Sequence, residues 1–97
     1  MLSLDAAFDK LVESATLSKE RKNYQTTTSL APELGLREME PHKRQRAYER
    51  HDGGRSLLLA WRQSDVENDH PHSQHRLTMT LLEEGVVSRR HVAEFEA

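Results

Sequence analysis

The run Leu57-Leu58-Leu59-Ala60-Trp61 is the only place in this chain where five large or apolar residues stand together, so it is the expected centre of the core. Gly53-Gly54-Arg55 precedes it and Arg62-Gln63-Ser64-Asp65 follows. Bounded in this way, the run suits one buried strand or a piece of helix. Periodicity leaves both open: a strand puts Leu57, Leu59 and Trp61 on one face, and a helix groups Leu57, Leu58 and Trp61.

Everything else has to supply the surface that covers this run, and little of it is apolar. Hydrophobic residues make up 35% of the 97 positions and charged residues 31%, which is lean for an independent domain yet too apolar for full disorder. A chain of this length buries only about 60–65% of the surface it exposes when unfolded. The expectation is one small domain over residues 1–97 with irregular polar arms, gaining order from a partner.

Residues Ser3 to Ala15 read as an amphipathic helix: Leu4, Phe8, Leu11, Val12 and Ala15 share a face, Ser3 suits the N-cap, and Asp5 meets the positive helix end. Residues 25–31 are linker-like, opening on Gln-Thr-Thr-Thr-Ser. Pro32-Glu33-Leu34-Gly35 fits a single helical turn. Residues 63–72 read as an exposed loop in which the His70-Pro71 bond has access to the cis form. Ser73 to Glu84 is predicted to be a helix burying Leu77 and Leu81 and closed by Gly85, with Ser88 capping a last short helix that turns Val92 and Phe95 inward.

Between the two ends lies Pro41 to Asp52, where two structures compete. Pro41 suits the first position of a helix that stops at Asp52-Gly53, and the lack of alternation favours that helix. Asp52-Gly53-Gly54 equally suits a hairpin turn, giving a short β-hairpin around residues 45–62. The fold class that follows is mainly α, with both the N-terminal helix and the Ser73 to Glu84 helix packed on Leu57 to Trp61.

The segment Leu81-Leu82-Glu83-Glu84-Gly85-Val86-Val87-Ser88 resembles the helix-corner-helix of nitrile hydratase β subunits and of several short bacterial helical modules. The likeness covers about twenty residues and reflects generic capping. It implies a helical corner and no activity, because no metal ligand or catalytic residue of those families has a counterpart here.

Absence of cysteine rules out disulfides and thiolate metal sites, and no apolar run approaches the ~20 residues of a membrane span. With an acid at Asp5 where a signal peptide carries basic residues, the expectation is an unprocessed cytoplasmic protein. His70, His72 and His75 have a spacing suggestive of zinc, with His91 or Asp69 to complete a site, but a polar loop costs entropy to organise and the cluster is expected to be metal-free. No nucleophile-base signature, phosphate loop or carboxylate pair stands out, so the reading is non-enzymatic and without cofactor.

Charge divides along the chain. His42 to Arg62 holds six basic residues against two acidic ones, a balance of +4 inside a chain of net charge -2. That segment is the expected docking surface: Lys43, Arg44, Arg46, Arg50 and Arg55 meet an acidic partner while Tyr48 and Trp61 anchor it, since arginine and aromatic residues dominate binding hot spots. The function expected is a small protein-binding accessory factor that docks on a larger bacterial complex, of the kind phages and plasmids use to inhibit host nucleases or defence enzymes. The alternative is a regulatory nucleic-acid-binding module using residues 42–62, against which a pI near 6.3 argues.

Overall fold

A computed structural model describes residues 1–21, 23–64 and 74–96 of the chain. It opens with helix α1, Leu4–Arg21, in which Ser3 caps the N-terminus: its hydroxyl accepts from the Ala6 N–H at 3.1 Å. Leu4, Ala7, Phe8, Leu11 and Ala15 form a buried stripe and Val12 packs at its margin, so the expected helix and its inner face are both present. Asp5 in the first turn receives the Arg55 guanidinium through two contacts of 3.0 Å, which lowers its pKa.

Most of the rest is a sheet. Strands β1 (Arg37–Glu38), β2 (Gln45–Asp52), β3 (Arg55–Gln63), β4 (Gln74–Glu83) and β5 (Val86–Glu96) form an antiparallel meander, each pairing with its neighbour in sequence. The mainly α expectation is therefore overturned. Leu57-Leu58-Leu59-Ala60-Trp61 lies in the central strand, with Leu57 opposite Leu81, Leu59 opposite Met79 and Trp61 opposite Leu77. These six side chains, with Ala93 and Phe95 of β5, face α1 and make the core. Leu58 points away from it and is only partly buried.

Between residues 42 and 62 the structure is the hairpin and not the helix. Asp52 pairs with Arg55 across Gly53-Gly54, and Gly53 takes φ +64°, a conformation with no steric cost for glycine.

Where a helix was expected from Ser73 to Glu84, Gln74–Glu83 is likewise a strand; Ser73 lies outside the described residues. Leu77 and Leu81 are four apart, a spacing that one helical face and one strand face share, but Arg76-Leu77-Thr78-Met79-Thr80-Leu81 alternates strictly and two of its polar members are β-branched. Gly85 does not cap a helix: it completes a two-residue turn with Glu84, both at positive φ, joining β4 to β5. The short helix expected after Ser88 is part of β5, and the resemblance to a helix-corner-helix falls with it. Ser88 sits where the register slips between Leu81 and Leu82, donating its hydroxyl to the Leu81 carbonyl at 3.1 Å.

The stretch that composition marks as linker-like carries helix α2, Gln25–Thr28, and buries Thr27 and Ala31. Thr27 Oγ1 lies 3.1 Å from Ser14 Oγ and 3.3 Å from Ser18 Oγ, a buried hydroxyl cluster that ties α2 to α1. Pro32 to Gly35 forms a turn closed by the Gly35 N–H on Pro32 and the Leu36 N–H on Ala31, the bond pattern that ends many helices. Among the described residues no helix is long and apolar enough to cross a membrane.

Candidate functional site

An antiparallel meander sends alternate strand ends to opposite edges, and here the two ends differ in chemistry. One end carries the turns Gly53-Gly54 and Glu84-Gly85, linked by a Glu84 N–H to Gly54 carbonyl bond of 2.8 Å. At the other end the chain passes from β1 to β2 through Lys43 and Arg44, and from β3 towards Ser64. That second end gathers aromatic and basic side chains.

Its floor is a group of three near-parallel rings. Tyr24 lies over Trp61 with centroids 5.0 Å apart and over His75 at 4.5 Å, while Trp61 and His75 are 5.5 Å apart. Trp61 and His75 share the helix-covered face on adjacent strands, and Tyr24 reaches them from the junction of α1 and α2. Burial depresses the His75 pKa, because desolvation disfavours the charged ring. Trp61 Nε1 and His75 Nδ1 are both buried without a hydrogen-bond partner among the described residues.

Around this floor Arg46, Tyr48 and Trp61 meet Tyr24, Gln25 and Thr28 at a cleft of about 250 Å³. The meeting follows from strand parity: positions 46, 48 and 50 of β2 face the helix side, and Arg46 pairs in register with Trp61. Arg46 is held in place, donating from Nη1 to the carbonyls of His42 and Gln45 at 2.8 Å each and standing 3.7 Å from Glu38. Tyr48 is half-buried beside it, and desolvation, then the Glu38 charge, push its phenol pKa upward. A second cleft of about 160 Å³ opens between Lys43, Arg44, Gln45, Arg62 and Gln63.

The expected docking residues thus separate into two groups. Lys43, Arg44, Arg46, Tyr48 and Trp61 collect at this end, with Trp61 forming floor and core at once. Arg50 and Arg55 have structural partners instead: Arg50 donates to the Leu34 carbonyl at 3.2 Å, and Arg55 clasps Asp5. Lys43 and Arg62 form no ion pair among the described residues.

Tyr24, Gln25 and Thr28 were not expected at a site. The available signal was Tyr24 itself, an aromatic between a charge run and a polar run, where nothing but packing or binding calls for one. Of the histidine cluster, His75 is the stacked ring just described. His70, His72, Asp69 and the His70-Pro71 bond lie outside the described residues, as does most of the predicted loop 63–72. Among the described residues no group of three or more His, Asp or Glu side chains is placed to hold a metal ion.

An arrangement of flat apolar surface under a fixed guanidinium can grip a carboxylate or a planar group by its face and edge together. No protein-family model matches this sequence, and no curated protein and no solved structure matches it either.

Proposed function

We propose that this chain is a small non-enzymatic protein-binding accessory factor, docking through the aromatic and basic end of its sheet on an acidic segment of a larger bacterial complex and modulating that complex as an inhibitor or adaptor. The observation that supports this most is the convergence of Arg46, Tyr48 and Trp61 with Tyr24 around one cleft. Binding energy concentrates on arginine and aromatic residues because they combine contact area with directional hydrogen bonds. Lys43 and Arg62, at the second cleft, add charge that steers an acidic partner towards this end of the sheet.

Protein is favoured over nucleic acid by how the basic residues are distributed. A phosphate track needs its cations in one continuous row. Here Arg62 lies on one face of the sheet and Arg46 on the other, while Arg50 and Arg55 are committed internally. The likeness to phage- and plasmid-type inhibitors rests on size and composition and is part of the proposal.

The test is comparative capture. Wild type, an Arg46→Glu/Tyr48→Ala variant and a Glu13→Lys control on the exposed side of α1 are immobilised and challenged with bacterial lysate. A protein retained by wild type and control and lost from the double variant supports the docking end. Identical capture by all three contradicts it. Binding of a labelled single-stranded oligonucleotide that collapses between low and moderate salt and disappears in Lys43→Glu/Arg62→Glu would establish the nucleic-acid reading instead.

A further inference from the structure

Strand β5 is the longest in the sheet at 11 residues, and it forms one edge. Its outer row of backbone groups has no strand partner among the described residues. Natural sheets protect such an edge with short length, proline, charged side chains or a bulge, because an open edge is a template for pairing. β5 is long and has no proline, and its bulge at Ser88 leaves the stretch from Arg89 to Glu96 in regular register. It carries exposed Val86, Val87 and Val92, and its charges change sign along the strand, from Arg89 and Arg90 to Glu94.

We infer that β5 pairs antiparallel with β5 of a second copy of this chain about a two-fold axis at Val92, joining two five-stranded sheets into one of ten. Self-pairing about an axis on a residue sets position 92 + n opposite 92 - n. Arg90 then faces the second copy's Glu94, and symmetry repeats the pair. All three positions project from the same side of the sheet, the side away from α1, and Val92, 45% exposed in the single chain, meets its own equivalent.

Both ionic partners have capacity left. Among the described residues, Glu94 takes Nε and Nη2 of Arg76 on Oε1, at 3.2 and 2.8 Å, and nothing on Oε2. Among the same residues Arg90 makes one long bond of 3.5 Å, from Nε to Thr80 Oγ1, and none from its terminal nitrogens. Register is specified by the same charges. Moving the axis to His91 sets Arg90 opposite Val92 and loses both pairs, and moving it to Arg90 brings two guanidinium groups together. The inference does not rest on the docking reading, since none of Arg90, Val92 and Glu94 lines the cleft between Arg46 and Trp61.

Sedimentation velocity at about 100 μM, where a dimer with Kd on the order of micromolar is almost fully assembled, reads the outcome directly. Wild type should sediment at twice the 11.2 kDa chain mass. Arg90→Glu and Glu94→Arg, each placing like charges opposite one another, should each sediment as monomer. Mixed in equal amounts they should regain the dimer, because each then presents the other with the missing sign at both contacts. Val92→Lys, at an exposed position that the single chain does not need, should weaken the dimer at least tenfold. A monomeric wild type would overturn the inference. So would single variants that dimerise like wild type, or a mixture that stays monomeric while both variants show native circular dichroism.

Discussion

The two faces of the sheet are written by the same strands and behave as different materials. On the side of α1, Leu57, Leu59, Leu77, Met79 and Leu81 are wholly buried. On the other side the intervening positions are Ser56, Leu58, Ala60, Thr78, Thr80 and Leu82, with no element laid across them among the described residues. Charged pairs flank that open face: Arg37 with Glu49 at one edge and Arg76 with Glu94 at the other, both at hydrogen-bond distance. The first face determines whether the chain folds, and the second is free to carry interactions at little cost to stability.

That contrast can be broken most sharply at two adjacent leucines. Leu57→Asp places an unpaired carboxylate in the wholly buried layer and should cost more than about 4 kcal/mol, enough to unfold a small domain. Leu58→Asp, one residue along and on the open face, should cost about 1 kcal/mol. Urea denaturation followed by circular dichroism measures both, and equal destabilisation would erase the distinction between the faces. Sequence alone gives Leu58 a place in the core, since one helical reading groups it with Leu57 and Trp61.

The covered side is itself graded, from leucine at its centre to polar groups near the aromatic and basic end, and Thr27 samples the graded part. Thr27→Val preserves shape while leaving Ser14 and Ser18 without their buried hydroxyl partner, so a loss of about 1–3 kcal/mol is expected. A neutral result in the same denaturation assay would mean that the hydroxyl cluster contributes nothing to docking α2 on α1.

The smallest effect depends on pH and belongs to His75. Its folded pKa lies below the ordinary value of 6.5 because burial disfavours the imidazolium, so the unfolded chain binds the proton more readily. The contribution is intact above pH 6.5 and is lost as pH falls from there through the folded value. Asp5 and Glu49, whose carboxyls are held low by guanidinium hydrogen bonds, lose their contributions only further into acid, below the usual values of 3.8 and 4.5. His75→Phe, which keeps a ring for Tyr24, should flatten the thermal stability profile between the two ranges. A profile unchanged by that substitution would remove His75 as the source.

How much of this was legible depended on whether local pattern or long-range pairing decides an element. Helix α1 was legible because its cap, first-turn acid and apolar stripe lie within one short segment. β4 was misread because Gly85 is equally at home past a helix and in a hairpin turn, and because Leu77 and Leu81 satisfy both periods. The alternation from Arg76 to Leu81 was the better guide, and the β-branched Val86, Val87 and Val92 supported it. At the aromatic and basic end, Arg46, Tyr48 and Trp61 were expected together for their residue types. Tyr24 was missed because its partners are distant in sequence, and the contacts of Arg50 with the Leu34 carbonyl and of Arg55 with Asp5 were not legible because such partners are invisible to composition.

Asp9 and Arg89 are joined at 2.8 Å although 80 positions separate them, and the Arg89 guanidinium also covers the Phe8 ring at 4.3 Å. That closure imposes an order on assembly. Each hairpin of the meander can zip from its own turn, so most of the sheet forms from local contacts at small loop-closure cost. Helix α1 precedes the strands it packs on in the chain, so Leu4, Phe8 and Leu11 have no sheet surface to bury against until β3 and β4 are paired, and the contact with Arg89 waits for β5. The helix is thus made before the sheet that shelters it, and until that sheet has paired its apolar stripe is the kind of exposed surface that makes a folding intermediate prone to aggregate.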